Sequence, residues 1–193
     1  MRVLIICGPT ASGKNNLAYK ILDKYAGEIV NADSRQVYKY FDIGTNKGNL
    51  KNKNEHVVLE DKYIGHLYDF LEPSESFSIY EYQKLAEDKI QEILNKNFLP
   101  IIVGGTGLYI DSLVKGYVLD ENKTNIREEL NKLNLKELLE LIKMENINID
   151  HLNNSDRNNP VRLIRLIEKS RQGNSSQKPR GPRYEYTMFY PEF

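Results

Sequence analysis

Hydrophobic residues fall into two rhythms along this chain. Within residues 2–7 (RVLIIC), 3–7 are apolar without interruption and partly β-branched, the pattern of a short strand covered on both faces. Gly8 and Pro9 end it. From Lys14 onward, Leu17, Ala18, Ile21, Leu22 and Tyr25 recur at helical spacing, and Gly27 predicts the stop. Residues 28–31 predict a second strand. Polar, turn-rich sequence then runs to about residue 76, with Gly44, Gly48 and an Asn/Lys cluster at 46–54. Inside it, 57–59 and 66–71 predict short strands or turns. Ser78 and Glu81 fit a capping box ahead of a helical face made by Ile79, Tyr82, Ala86, Ile90 and Ile93. Residues 100–103 predict a buried strand ended by Gly104 and Gly105, and 106–115 the next helix. Strand and helix alternate, which predicts an α/β fold with a parallel sheet.

From about residue 119 the texture changes. Helices are expected at 124–133, 135–145 and 159–171 with no strand between them, the last opened by Asn159 as N-cap and Pro160 at the first position. It sets Arg162, Arg165 and Lys169 on one stripe, with Leu163, Ile164 and Ile167 towards the other side. Residues 173–181 read as a linker and 184–190 as a strand. The expected organisation is an α/β core over 1–118, a helical insert over 119–172, and a linker with a returning strand over 173–193.

Composition narrows the class. The 193 residues are 40% hydrophobic and 28% charged, which is globular. The 27 basic and 27 acidic side chains cancel, yet unevenly. Residues 120–150 hold eight acids and five bases, whereas 157–183 hold eight bases and the single acid Glu168. Such a block suits either a polyanion partner or a solvated tail. The one cysteine, Cys7, excludes an internal disulfide and reads as strand filler. No apolar stretch reaches spanning length, so the cytoplasm is the expected compartment.

The chemistry begins after the first strand. Gly8, Pro9, Thr10, Ala11, Ser12, Gly13 and Lys14 follow a strand and open a helix, the spacing and context of a phosphate-binding loop. Gly13 lets successive N–H groups turn inward, the helix start adds partial positive charge, and Lys14 adds a full one. Two linked phosphates are the natural ligand. The loop refines the expected fold to a parallel sheet like that of P-loop nucleoside triphosphate hydrolases, with a small helical inserted domain. Asn15 stands where such loops carry a Ser or Thr that holds Mg²⁺, so weak metal ligation through an amide oxygen is expected there. Asp33 follows the second strand, at a carboxyl end near the loop. Holding Mg²⁺ through water, general base and helix N-cap are its three possible roles.

Residues 8–14 (GPTASGK), 32–38 (ADSRQVY), 42–45 (DIGT), 73–75 (PSE) and 104–109 (GGTGLY) resemble, in that order, the tRNA dimethylallyltransferase family, and 159–165 (NPVRLIR) is similar to its later arginine motif. The resemblance covers about 1–173. It implies transfer of a dimethylallyl group from dimethylallyl diphosphate to the exocyclic amine, N6, of the adenine beside a tRNA anticodon. It implies diphosphate and Mg²⁺ held by Thr10, Ala11, Ser12, Gly13 and Lys14; Asp33 as general base; and Asp33, Ser34, Arg35 and Gln36 around the target base. It further implies Thr106 near the reacting centre, and Arg127 with Val161, Arg162, Leu163, Ile164 and Arg165 against tRNA. A monomer is expected. The family pattern continues beyond residue 193, which sets activity of this short form apart from ancestry.

Other readings stay open: an adenylate isopentenyltransferase acting on free nucleotide, a P-loop kinase binding ATP on the same loop, and an inactive RNA-binding remnant. His66 is expected to be a structural, hydrogen-bonded residue near the site, and no cluster has metal-ligand spacing.

Overall fold

The structure is a computed structural model, and it describes residues 2–118, 125–171 and 179–191. The chain divides into two compact units, Met1–Leu119 with Pro179–Phe193, and Asp120–Lys178. The expected boundaries at 119 and 172, and most of the linker, lie outside the described residues.

The first unit holds β1 (Arg2–Cys7), α1 (Lys14–Leu22), β2 (Gly27–Asn31), β3 (Leu50–Lys53), β4 (His56–Leu59), β5 (Tyr63–His66), α2 (Ile79–Asn95), β6 (Leu99–Gly104), α3 (Gly107–Lys115) and β7 (Glu185–Phe189). Among the described residues these strands form one seven-stranded sheet in the order β3-β4-β5-β2-β6-β1-β7. The run β5-β2-β6-β1-β7 is parallel, and β3 and β4 extend it as an antiparallel edge. Both faces are covered, which is why β1 and β6 read as unbroken apolar runs. Val3, Ile5, Val30 and Ile102 pack with Tyr82, Ala86, Ile90 and Ile93 of α2 and Ile110 and Leu113 of α3. Ile6, Ile29, Ile101 and Val103 pack on the opposite side with Ala18 of α1. Burying one such Ile fully contributes roughly 1.5–3 kcal/mol.

Three expectations needed correction. Helix α1 ends at Leu22, and Tyr25 lies in the following turn, 63% exposed rather than on the buried face. Gly27 opens β2 instead of stopping the helix; a Cβ there would stand 2.5 Å from the Leu99 carbonyl oxygen, so close strand approach requires glycine. The polar cluster at 46–54 contains β3. Its residues after Leu50 are exposed, and an edge strand with nothing to bury carries no hydrophobic signal.

The second unit holds α4 (Asn125–Leu130), α5 (Leu135–Met144), the short α6 (Asn154–Arg157), which the pattern did not predict, and α7 (Pro160–Arg171). Its core is Leu130, Leu138, Ile142, Leu163, Ile164 and Ile167. Glu168, 2% exposed, lies 3.5 Å from Arg165 and 3.8 Å from Arg127. Arg162 pairs with Asp156.

Candidate active site

The turn between β1 and α1 has an unusual backbone. Gly8 sits at φ 152°, Ala11 at 64° and Gly13 at 75°, so the backbone repeatedly enters conformations that side chains disfavour. Gly13 caps α1 in the left-handed conformation and its Cβ position meets open space; backbone twist, not crowding, calls for glycine. Gly104 is the opposite case. A Cβ there would collide with Ala32 backbone at 2.2 Å, so glycine lets the end of β6 lie against the turn that carries Asp33.

A cavity of about 270 Å³ opens at the carboxyl ends of β1, β2 and β6. Thr10 to Asn16 form one wall, Asp33 and Gln36 another, and Thr45 and Asn46 a third. The Lys14 ammonium folds back on the Pro9 carbonyl at 2.5 Å, with the Ser12 hydroxyl at 3.5 Å. Burial pulls the Lys14 pKa below its ordinary value, while the Asp33 carboxylate across the cavity opposes that shift.

Asp33 is held from behind. The fully buried Asn31 accepts the Asp33 N–H at 3.0 Å and donates to the carbonyls of Asp33 and Leu67. Asp33 Oδ1 accepts the Arg35 N–H at 2.9 Å, and among the described residues Oδ2 takes no hydrogen bond. The N-cap reading is corrected: no helix follows Asp33, and its Oδ1 ties a turn instead. Gln36 donates to the carbonyls of Thr45 and Asn46 at 2.7 and 3.2 Å, which fixes the third wall.

Other expected residues stand one layer back. Thr106 is not among the lining residues; its hydroxyl accepts the Ser34 N–H at 2.9 Å and donates to the Ser34 hydroxyl at 3.2 Å. Gly8 and Pro9 lie behind the cavity, against a second hollow shared with Cys7 and Ile110. Arg35 is exposed. His66 bonds Glu28 at 2.6 Å, and Glu28 also receives Lys96 at 2.9 Å. His66 and Glu28 are 6% and 1% exposed and do not line the cavity. In the helical unit, Leu163 and Ile164 place their side chains in the core, so the expectation of RNA contact is corrected for these two: they anchor α7. Arg127, Val161, Arg162 and Arg165 retain exposed or half-exposed side chains.

Lys47, Asn31 and Asn46 were not singled out in the sequence, and Thr45 entered only as the end of the 42–45 motif. Lys47 is 2% exposed, and its ammonium reaches the Tyr38 carbonyl at 2.7 Å, Asp42 at 2.9 Å and Asp69 at 2.7 Å. It stands two positions after the 42–45 motif, inside the Asn/Lys-rich stretch, and nothing local marked it as buried.

Among the described residues no three His, Cys, Asp or Glu side chains stand together as a metal cage. The donors at the cavity are the Asn15 amide, the Asp33 carboxylate and the Ser12 hydroxyl. That set fits a hard cation taking most of its ligands from phosphate and water.

A glycine-bearing turn between strand and helix at the carboxyl edge of a parallel sheet, faced by a carboxylate, defines a protein of the P-loop class. Within that class, the IPP transferase family model matches residues 36–190, and the chain belongs to this family. It is 41% identical over 177 residues to the tRNA dimethylallyltransferase of Rickettsia massiliae, covering 90% of this chain and 47% of that one. It is 38% identical over 175 residues to the tRNA dimethylallyltransferase of Streptococcus pyogenes serotype M4, covering 88% and 54%. The chain therefore spans about half the length of these curated relatives. Among solved structures, the tRNA isopentenylpyrophosphate transferase of Bacillus halodurans is 32% identical with a TM-score of 0.59, covering 98% of this chain and 59% of that one. A eukaryotic dimethylallyltransferase acting on tRNA shares the fold at TM-score 0.68 and 21% identity, covering 98% and 48%. Among the described residues no helix is long and apolar enough to cross a membrane.

Proposed function

We propose that this chain transfers a dimethylallyl group from dimethylallyl diphosphate to the exocyclic amine of the adenine beside a tRNA anticodon. The observation that carries the reading is one cavity shared by the phosphate loop and the unsatisfied oxygen of Asp33. The amine attacks the prenyl carbon bonded to diphosphate, and the new C–N bond forms as the C–O bond breaks. Asp33 takes the proton the amine releases. Negative charge grows on the departing diphosphate, where the loop N–H groups and Lys14 stabilise it. Mg²⁺, taken through Asn15 and the diphosphate oxygens, would add further positive charge on the leaving group. Thr106 acts by fixing Ser34 and hence the Asp33 turn. Arg127, Arg162, Arg165 and the backbone near Val161 meet tRNA phosphates. A monomer in the cytoplasm is the working form.

The test is incubation with labelled dimethylallyl diphosphate, AMP, ATP and an unmodified tRNA with adenine after the anticodon. Label in tRNA, reduced about 100-fold or more by Asp33→Ala, is expected. Label in AMP, or ATP turnover with no prenyl transfer, would overturn the reading.

A further inference from the structure

The segment 38–47 carries three large apolar side chains outward: Tyr40 is 73% exposed, Phe41 43% and Ile43 99%. The segment itself is tightly fixed. Lys47 ties the Tyr38 carbonyl and bonds the exposed Asp42 carboxylate. The Thr45 hydroxyl bonds the Phe41 carbonyl, and Gln36 grips the carbonyls of Thr45 and Asn46. Tyr40 and Asn46 are held at φ 64° and 55°, where side chains disfavour the backbone. Folding gains nothing from ordering a turn that leaves its apolar groups in water, so the tip is shaped for a contact. Its base supplies Thr45 and Asn46 to the cavity that holds Asp33, so the tip stands beside the path an acceptor takes.

We propose that Tyr40, Phe41 and Ile43 form a stacking surface for an unpaired nucleobase next to the adenine being modified. This rests on the proposed RNA acceptor and extends it to a positioning element. An adenine drawn out of a loop leaves its neighbour without a stacking partner, and an aromatic side chain replaces that partner whatever the base identity. The Phe41 ring lies 5.8 Å from Tyr38, which steadies it. A protein partner seated on the tip would instead crowd the mouth the acceptor needs.

The experiment compares the full chain with Tyr40→Ala/Ile43→Ser and with Tyr40→Trp. The probe is an unmodified anticodon stem-loop RNA carrying a fluorescent adenine analogue beside the target adenine. The double variant should bind about tenfold more weakly and leave the analogue brighter, because stacking quenches it. Tyr40→Trp should bind at least as tightly as the parent and quench more. Pyrophosphate affinity and thermal midpoint should not change in either variant. Parent-like RNA affinity and fluorescence in both variants would overturn the stacking surface while leaving the transferase reading intact. A parent chain that neither binds nor prenylates RNA would remove both. Loss of a parent dimer in the double variant would assign the tip to a second copy and overturn the proposal.

Discussion

Lys47 shows how much of a site one residue can carry without announcing itself. Its ammonium is buried among the Tyr38 carbonyl, Asp42 and Asp69, so it holds together the wall that Gln36 also grips. Replacing it with Met would leave Asp69, only 12% exposed, without its cation. Lys47→Met is expected to cost on the order of 3 kcal/mol in urea denaturation. Lys14→Ala, at the first position of α1, should leave stability unchanged within about 0.5 kcal/mol while weakening pyrophosphate binding. The difference explains what was legible. The phosphate loop and Asp33 stand out because their chemistry dictates residue types at fixed spacing. Lys47 sits in a lysine- and asparagine-rich stretch, where nothing local separates a buried lysine from solvated ones.

The buried pair of Glu28 and His66 sets the acid limit at the same scale. Burial raises the Glu28 pKa, but hydrogen bonds and charge from His66 and Lys96 outweigh it and leave the value below the ordinary 4.5. Burial lowers the His66 pKa below 6.5, against the pull of Glu28. Both depressed values act in one direction. The unfolded chain takes up protons that the folded one resists, so the stabilisation is complete above about pH 6.5 and is lost as pH falls towards and below 4.5. Thermal midpoints across that range should fall with acid; Glu28→Gln should remove the part of the fall near 4.5 and, by removing the carboxylate that pulls the His66 pKa up, enlarge the part near 6.5.

Elements were readable where burial or capping marked them. Strands β1 and β6 are apolar on both faces, and α2 opens with Ser78 accepting the Glu81 N–H while the Glu81 carboxylate accepts the Ser78 N–H. Strand β3 and helix α6 were not readable: one is an exposed edge, the other a single turn with no buried residue. The second capping box, Asn134 with Glu137 at the start of α5, supports a different unit from the first. Ser78→Ala and Asn134→Ala should each cost about 1 kcal/mol. Hydrogen exchange should register the first in the amides of α2 and the sheet, and the second in the amides of α5 and α7.

At the scale of the whole molecule, the path of the chain makes the helical unit an insertion. The α/β unit is left after α3 and resumed before β7 at neighbouring points, where the Arg180 N–H bonds the Gly116 carbonyl at 2.8 Å and the Gly181 N–H bonds the Lys115 carbonyl at 3.2 Å. Gly116 is left-handed at φ 61°, and a Cβ on it would strike the Gly181 carbonyl oxygen at 2.1 Å, so this crossing requires glycine. A short Gly/Ser linker can therefore replace residues 120–178 without stretching the sheet, because closing a short loop between adjacent ends costs little. Every residue lining the Asp33 cavity lies in the unit that remains. The shortened protein should keep cooperative unfolding and parent-like pyrophosphate affinity. It should lose stem-loop RNA affinity at least tenfold, and the salt dependence of that binding should flatten as the phosphate contacts proposed for Arg127, Arg162 and Arg165 are removed. Unchanged RNA binding would move recognition wholly onto the α/β unit, where the tip at residues 40–43 is its nearest candidate.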